Sequence, residues 1–232
     1  MSEKRATWYG NFGYKNETLD NVFLNNNRAY ASGSIEEELK YSYEAHGEQF
    51  YTTRVIVKRQ SGINDFVPII VSRTVINRDF KKRLTGRSVK VYGQLRTYKR
   101  ISQDGLKHLQ LFLFVTSIKC IEEENCETEN NQIYLEGSIR KEPVFRITPV
   151  SKKPITDILL EVHRDNGKSD FIPCIAWGSL AYKASDLEIG SKIAVYGRLQ
   201  SRNYSKIISE ESGKIENKTT YEVTIMQMGE SK

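Results

Sequence analysis

A sequence pattern that occurs twice constrains the fold of this chain more than any other feature. Asp-Phe-(Val/Ile)-Pro-x-Ile stands at residues 65–70 and again at residues 170–175. A period of about a hundred residues is that of a whole domain, not that of a solenoid repeat. The chain is therefore a tandem duplication of one domain. Flanking blocks recur in the same order and are displaced by 104 residues: residues 30–35 match residues 134–139, and residues 86–95 match residues 190–199.

The duplication divides the 232 residues into two small domains. We predict the first domain at residues 27–121 and the second at residues 131–229. An irregular aromatic N-terminal arm at residues 1–26 precedes them, and an acidic linker at residues 122–130 separates them. No apolar run approaches the roughly 20 residues that span a bilayer, and the N-terminus lacks the pattern of a secretory signal. We therefore expect a cytoplasmic protein.

Both repeats carry short strand-forming runs separated by turn residues. Five strands with a helix between the third and the fourth are typical of the five-stranded Greek-key barrel, the OB fold. The predicted fold class is all-β with short helices, in two tandem OB-fold barrels. Strands are predicted at residues 28–35, 50–58, 65–72, 88–98 and 107–118 of the first repeat and 132–140, 157–163, 170–177, 192–202 and 219–228 of the second, with helices at 74–84 and 179–187.

Glycine and proline interrupt these strands at matching positions. Gly93 and Gly197 lie inside the fourth strands, where a barrel has to bend at its corners. Pro68 and Pro173 lie inside the third strands and lack the N–H that a central strand donates. Their shared position predicts an edge, a bulge or a gap in the ladder.

Charge is unevenly distributed between the repeats. Residues 27–121 hold 17 Lys and Arg against 8 Asp and Glu, a net charge of +9, whereas residues 131–229 hold 14 against 12, a net charge of +2. Lysine and arginine neutralise phosphates and release counterions, so a polyanionic partner is the usual explanation. A surface charge that only keeps the protein in solution is the alternative.

The third strand of the second repeat predicts a surface for stacking bases. Alternation places Ile172, Cys174 and Ala176 on one face, which suits a barrel interior. The other face carries Phe171, Pro173, Ile175 and Trp177, so Phe171 and Trp177 are displayed together. Tyr204 would extend this surface, and Arg198 and Arg202 would hold a nucleic-acid backbone beside it. Packing of the two aromatic rings against a helix or a neighbouring subunit is the alternative.

Residues 131–228 resemble a bacterial single-stranded-DNA-binding protein of the OB-fold type. The resemblance rests on three blocks in order, at residues 137–143, 170–181 and 190–202. It implies that aromatic side chains at the positions of Phe171, Trp177 and Tyr204 stack on DNA bases. It also implies an assembly: single-barrel relatives work as tetramers, so two barrels in one chain predict a homodimer. The apolar run at residues 111–114 points the same way, because it is too continuous for one barrel interior and some of its side chains must face another surface. That surface could instead be the sister barrel or the aromatic N-terminal arm, and the protein would then be a monomer.

Residues 27–121 resemble the same family more distantly. Phe66 keeps the first aromatic position, but Ser72 and Arg100 replace the other two. We therefore expect the first barrel to hold the backbone by charge more than it stacks bases. Its candidate nucleic-acid-binding residues are Lys58, Arg59, Phe66, Arg96, Tyr98, Lys99 and Arg100.

These patterns predict non-catalytic binding of single-stranded DNA in replication, recombination or repair, with RNA as a possible ligand. The alternative is a primosome-like accessory protein, in which one barrel is a docking surface for protein. Catalysis is not expected, because the three histidines are isolated from paired carboxylates. No metal site and no cofactor are expected either, since the three cysteines have no metal-ligand spacing. The chain stops at Lys232 without the acidic tip that recruits repair enzymes in the family, so recruitment by a tail is doubtful.

Overall fold

The structure is a computed structural model that describes residues 26–59, 61–79, 84–101, 107–121, 130–209 and 214–231. For residues 77–79, 99–101, 107–108, 203–209 and 214–218 it describes the backbone alone. Residues 1–25 of the predicted arm and residues 122–129 of the predicted linker lie outside the described residues.

The described residues form two barrels with the same order of elements. Barrel 1 contains β1 to β6 and helix α1, and barrel 2 contains β7 to β12 and helix α2. The strands of barrel 1 are β1 Asn27–Ile35, β2 Lys40–Ala45, β3 Glu48–Lys58, β4 Asn64–Ser72, β5 Ser88–Ile101 and β6 Lys107–Cys120, with α1 at Arg73–Asp79. Those of barrel 2 are β7 Asn131–Ile139, β8 Val144–Ile147, β9 Pro154–His163, β10 Ser169–Trp177, β11 Lys192–Ser209 and β12 Lys214–Glu230, with α2 at Ser179–Ser185.

Each barrel closes through one short parallel pairing, β4 with β6 and β10 with β12, while the other strand pairs are antiparallel. The parallel ladder of barrel 1 begins at Ile69, and that of barrel 2 begins at Cys174. Pro68 and Pro173 come immediately before these ladders. Pro68 pairs with Arg54 and Pro173 with Leu159 in antiparallel ladders that continue past both prolines, so neither ladder has a gap or a bulge there. The parallel ladder on the other side of each strand starts one residue later, so of the three explanations that the sequence offered, the local edge is the one that the structure supports.

Two strands of the structure were not predicted. β2 and β8 are the outermost strands at the two ends of the sheet order, paired only with β3 and β9 respectively. The turn between β2 and β3 consists of His46 and Gly47, both with positive φ, at 52° and 73°. Two-residue hairpin turns of this kind usually contain Asn-Gly or Asp-Gly, and His-Gly is a weaker signal. The hairpin was therefore missed.

The bends predicted at Gly93 and Gly197 are confirmed. The β5–β6 register shifts between Tyr92 and Gly93, and the β11–β12 register shifts between Tyr196 and Gly197. A Cβ atom at Gly93 would lie 1.9 Å from the carbonyl oxygen of Phe114, and one at Gly197 would lie 2.2 Å from that of Thr224. Only glycine lets the neighbouring strand approach so closely.

The interior of each barrel follows the alternation of its strands. Ile172, Cys174 and Ala176 are buried in the core, as predicted. Ile175 is on the predicted outer face, which it shares with Trp177 and which lies outside the core cluster, but it is only 2% exposed. Its counterpart Ile70 is equally buried. Both isoleucines are therefore covered by other parts of the chain, although neither belongs to the core cluster.

The two barrels join edge to edge through β1 and β7. Ala29 pairs with Ile133, its own counterpart in the repeat, so the pairing has approximate twofold symmetry. The side chain of Asn27 hydrogen-bonds both the N–H and the carbonyl of Leu95, and Asn131 makes the same two bonds to Leu199. The junction therefore belongs to one continuous sheet, the intramolecular pairing that was the alternative to a dimer interface.

Candidate nucleic-acid interface

Five aromatic side chains lie together on the outer face of barrel 1. They come from four strands that are distant in the sequence, and all five are half-buried. We call this group the aromatic surface: Tyr43, Phe50, Tyr98, Phe112 and Phe114.

Contacts between the rings hold the aromatic surface in place. The centroids of Tyr43 and Phe50 are 4.8 Å apart in a stacked arrangement, and Phe50 lies 5.7 Å from Phe114. Tyr98 meets Phe112 edge to face at 5.9 Å, and its hydroxyl lies 3.4 Å from that of Tyr43. Burial and the Tyr43 hydroxyl raise the pKa of Tyr98 well above its usual value, so its hydroxyl stays neutral. The rings are fixed before any ligand arrives.

Three of these five positions carry charged side chains in barrel 2, while Phe50 and Phe114 correspond to Ile155 and Thr224. Strand register equates Tyr43 with Arg146, Tyr98 with Arg202 and Phe112 with Glu222. Arg146 donates two hydrogen bonds to Asp157, at 2.7 and 3.2 Å, and Arg202 lies 3.6 Å from Glu222. Burial raises the pKa of Glu222 despite the opposing effect of Arg202. We call Arg146, Asp157, Arg202 and Glu222 the charged surface.

Asp170 is the centre of the contact between the barrels. Arg164 of its own barrel and Arg96 of barrel 1 both hold this fully buried carboxylate. The backbone N–H of Thr97 adds a hydrogen bond of 2.7 Å. Burial opposes ionisation of Asp170, but the hydrogen bonds from Arg164, Thr97 and Arg96 outweigh it and lower the pKa of the carboxyl group. A charged group of barrel 2 thus fixes two guanidinium groups at the edge of the aromatic surface.

A second set of contacts joins the barrels, and in it each barrel donates a hydrogen bond to the other. The N–H of Phe171 donates to the hydroxyl of Thr97, and the N–H of Phe66 donates to Ser201, the counterpart of Thr97. The buried carboxylate of Asp65, the counterpart of Asp170, is paired with Arg59. Arg96 of β5 bonds Asp170 of the other barrel. Among the hydrogen bonds of the described residues, none from β11 to Asp65 matches it.

Two of the predicted stacking residues of barrel 2 differ in the exposure of their side chains. Trp177 is 37% exposed and Phe171 is half-buried beside the contact between the barrels. Tyr204 lies in β11 opposite Lys218, but its side chain falls outside the described residues. A shared surface for the three therefore stays a prediction.

The predicted arginines of barrel 2 differ in their partners. Arg202 belongs to the charged surface and is exposed. Arg198 is half-buried, and its Nε atom has no hydrogen-bond partner within the described part of the chain. Burial and the neighbouring charge of Arg59 lower the pKa of Arg198. The carboxylate of Asp65, which is paired with Arg59, offsets part of this lowering.

The predicted residues of barrel 1 fall into two groups. Arg59 and Arg96 are engaged in ion pairs with buried carboxylates, so their contribution to phosphate binding, which stays a prediction, is limited to their remaining N–H donors. The guanidinium group of Arg54 lies over the ring of Phe66, and its central carbon is 5.7 Å from the ring centroid. Lys58 is exposed at the end of β3, and Tyr98 belongs to the aromatic surface, whereas the side chains of Lys99 and Arg100 lie outside the described residues.

Sequence reasoning missed most of the aromatic surface. The apolar run at residues 111–114 did indicate side chains that one interior cannot hold, and Leu111 and Leu113 are buried inside while Phe112 and Phe114 face outward. Tyr43 lies in the strand that was not predicted. The missing signal was the register between β5 and β6, which only the fold supplies.

Barrels of this topology, paired edge to edge, define a tandem OB-fold protein. The chain is similar to the wild-type single-stranded DNA binding protein from Thermus aquaticus, with a TM-score of 0.68 over 89% of this chain and 93% of that chain. A deletion mutant of that protein gives the same TM-score over 88% of this chain and 94% of that chain. Both are 18% identical to this chain, so the likeness concerns the fold. The predicted fold class is confirmed.

Residues 130–229 match the model of the single-strand binding protein family. The single-stranded DNA-binding protein of Clostridium tetani is 34% identical over 80 residues, which cover 32% of this chain and 55% of that protein. Single-stranded DNA-binding protein A of Bacillus subtilis is 35% identical over 81 residues, covering 32% of this chain and 46% of that protein. The chain thus spans about half the length of the curated relatives it matches. The family resemblance of the second repeat is confirmed.

In the part of the chain that the structure describes, no helix is both long enough and apolar enough to cross a bilayer.

Proposed function

We propose that this protein binds single-stranded DNA without catalysis, by stacking bases on aromatic side chains and holding phosphates with arginine and lysine. The aromatic surface of barrel 1 is the observation that carries the proposal. Fixed aromatic rings on the outside of a sheet bind unpaired bases of any identity, at roughly 1 to 3 kcal/mol per stacked base.

The position of the rings favours ligand binding over a purely structural role. Tyr98 and Phe112 lie on the opposite side of the sheet from the packed interior, where Leu111 and Leu113 already fill the barrel. Half-buried aromatic side chains grouped on one outer face form the kind of patch that binds a partner. The basic charge of barrel 1 is attractive to phosphates in the same region.

Barrel 2 contributes to the same strand in this proposal. Trp177 is exposed enough to stack a base, and Arg198 is a cation that an approaching phosphate would stabilise. Phe171, Tyr204 and Arg202 stay in the proposed interface as predicted from the family resemblance. The match of residues 130–229 to the single-strand binding protein family and the names of the curated relatives, which are single-stranded DNA-binding proteins, support this assignment. Service in replication, recombination or repair is proposed on the same ground.

Titration of the full chain with oligo-dT, oligo-U and a duplex of matched length, at two salt concentrations, tests the function. We expect binding of single strands to be much tighter than binding of duplex, since bases in a duplex are already stacked on each other. Affinity should fall as salt rises, because phosphate contacts release counterions. Equal affinity for the duplex at physiological salt would contradict the proposal.

We also propose a homodimer, with the domain boundaries given by the repeat. Family resemblance supports the dimer, but the apolar run at residues 111–114 no longer does, because its residues face either the core or the aromatic surface. Light scattering at micromolar concentration tests the assembly. A mass near the 26.8 kDa of one chain would leave the intramolecular β1–β7 pairing as the whole assembly.

A further inference from the structure

A cleft lies where barrel 2 meets the aromatic surface of barrel 1. Its volume is about 330 Å³, within the range of small-molecule sites. Strands β5 and β6 provide one side of the cleft, and the turn between β9 and β10 provides the other. The lining residues are Arg96, Tyr98 and Phe114 from barrel 1 and Arg164, Asp165 and Asn166 from barrel 2.

The side from barrel 1 is suited to stacking a base. Tyr98 and Phe114 are half-buried, and each is in contact with another ring of the aromatic surface. Their neighbours fix both rings, so a base would lose little further side-chain freedom on stacking. The two rings therefore suit a planar ligand.

Two fixed guanidinium groups flank the rings. Asp170 holds both Arg96 and Arg164 from behind, and one buried carboxylate neutralises only one of the two charges. Arg164 uses its Nε and Nη2 atoms for Asp170, so the donors of Nη1 are not needed by that ion pair. A phosphate or a base acceptor would find a preoriented donor at this edge of the cleft.

The turn adds groups that read the edge of a base. Asp165 is exposed and offers only hydrogen-bond acceptors when ionised. The Oδ1 atom of Asn166 accepts the N–H of Lys168 at 3.2 Å, which orients the amide and leaves its NH₂ group as a donor. The wall of the cleft therefore presents acceptors beside donors.

We propose that this cleft binds one unpaired nucleotide of the strand and prefers guanine. This proposal rests on the proposed function. It adds one position that selects a base to an aromatic surface that otherwise binds bases of any identity. Guanine has two adjacent donors, N1–H and the N2 amino group, that a carboxylate such as Asp165 accepts together, while its O6 and N7 atoms accept from arginine. Thymine presents one N–H between two carbonyl oxygens, and the carboxylate of Asp165 repels these oxygens.

The test uses the full chain and fluorescence anisotropy with labelled oligo-dT of about 12 nucleotides, within the range of one OB-fold site, in which one central position is dT, dG, dA or dC. We expect the strand with one dG to bind about fivefold more tightly than oligo-dT, the value of one modest bidentate contact. Asp165→Asn should remove this advantage, so that the strand with one dG and oligo-dT bind with nearly equal affinity. Asp186→Asn, an exposed carboxylate of barrel 2 outside the cleft, is the matched control and should keep it.

The outcomes separate this proposal from the proposed function. Loss of all binding to oligo-dT by the unmodified chain would overturn the function itself. Normal binding of oligo-dT with no gain from dG would overturn only the guanine cleft. A gain from dG that survives Asp165→Asn, or an equal gain of Asp165→Asn toward all four strands, would also overturn it. An equal gain toward all four strands would mean that the Asp165 carboxylate merely repels phosphates.

Discussion

The outer faces of the two barrels share a backbone and differ in chemistry. Barrel 1 presents rings that touch one another, whereas barrel 2 presents ion pairs at the same register positions. The interior positions between them have stayed apolar in both barrels, as Leu113 and its counterpart Val223 illustrate. Interior side chains are constrained by packing, while outward-facing ones can change at little cost to stability. Duplication therefore preserved the barrel and left the two outer faces free to diverge.

The difference also bears on an expectation drawn from sequence, which stays a prediction. Charge counts and the loss of two family aromatic positions suggested that barrel 1 holds the backbone while barrel 2 stacks bases. The structure places five rings on barrel 1 and two carboxylates, Asp157 and Glu222, on the matching face of barrel 2. Basic charge and aromatic rings thus coincide in barrel 1, where they can act on the same strand.

The largest effect is expected at the carboxylates that join the barrels. Asp170→Asn should lower the free energy of unfolding by about 3 kcal/mol or more, because it leaves Arg96 and Arg164 without their buried partner. Asp65→Asn is the matched change in barrel 1 and should cost less, since Arg59 is its one ion-pair partner in the described structure. Urea denaturation of both variants measures the difference. Equal losses would mean that the two contacts are equivalent.

The stabilising effect of Asp170 should be lost at low pH. The pKa of Asp170 is lowered in the folded state, so its stabilising effect is complete above the ordinary aspartate value of 3.8 and disappears as pH falls from there through the lowered value. Denaturation midpoints between neutral pH and pH of about 3 should therefore fall more steeply for the unmodified chain than for Asp170→Asn. Parallel curves would exclude this contribution.

The next largest effect is expected on the aromatic surface. Tyr98→Ala should weaken binding of oligo-dT by roughly 1 to 3 kcal/mol, and Tyr98→Phe should restore most of it, because the ring and not the hydroxyl stacks. Tyr41→Ala is the control, since Tyr41 is 59% exposed and lies outside the aromatic surface. Circular dichroism would establish that each variant is folded. If Tyr41→Ala and Tyr98→Ala weaken binding equally, the surface has no special role.

Barrel 2 offers a test of similar or smaller size at its exposed tryptophan. Trp177→Ala should weaken binding by about 1 to 2 kcal/mol and leave the protein folded, as Trp177 is 37% exposed. In a Trp8→Phe background, quenching of Trp177 fluorescence by oligo-dT would report a base on this ring directly. Loss of folded protein, with residual affinity intact, would instead identify Trp177 as a structural residue.

The smallest effect is expected on the charged surface. Glu222→Gln should tighten binding about twofold to fivefold at low salt, because it removes a charge that repels phosphates and such interactions are worth roughly 0.2 to 1 kcal/mol. The gain should shrink as salt rises. Glu188→Gln, an exposed change on the loop after α2, serves as the control. No gain at any salt concentration would place the strand away from this face of barrel 2.

Sequence alone determined the architecture of this protein. The repeat, the five main strands of each barrel and the interior positions such as Ile172 and Cys174 were readable because each depends on residues close together in the chain. The resemblance of the second repeat to the single-strand binding protein family had the same origin, since its blocks are short and contiguous. Local periodicity carries this kind of information, and tertiary structure confirmed it.

Only the tertiary structure decided which side chains meet. Tyr43 and Tyr98 are 55 residues apart, and Arg96 and Asp170 are 74 residues apart, yet each pair is in contact. The alternation of a strand says which side chains share a face, but not which neighbouring strand lies beside them or in what register. Closure of the barrels and the β1–β7 junction set both. The aromatic surface and the cleft between the barrels therefore could not be predicted from sequence.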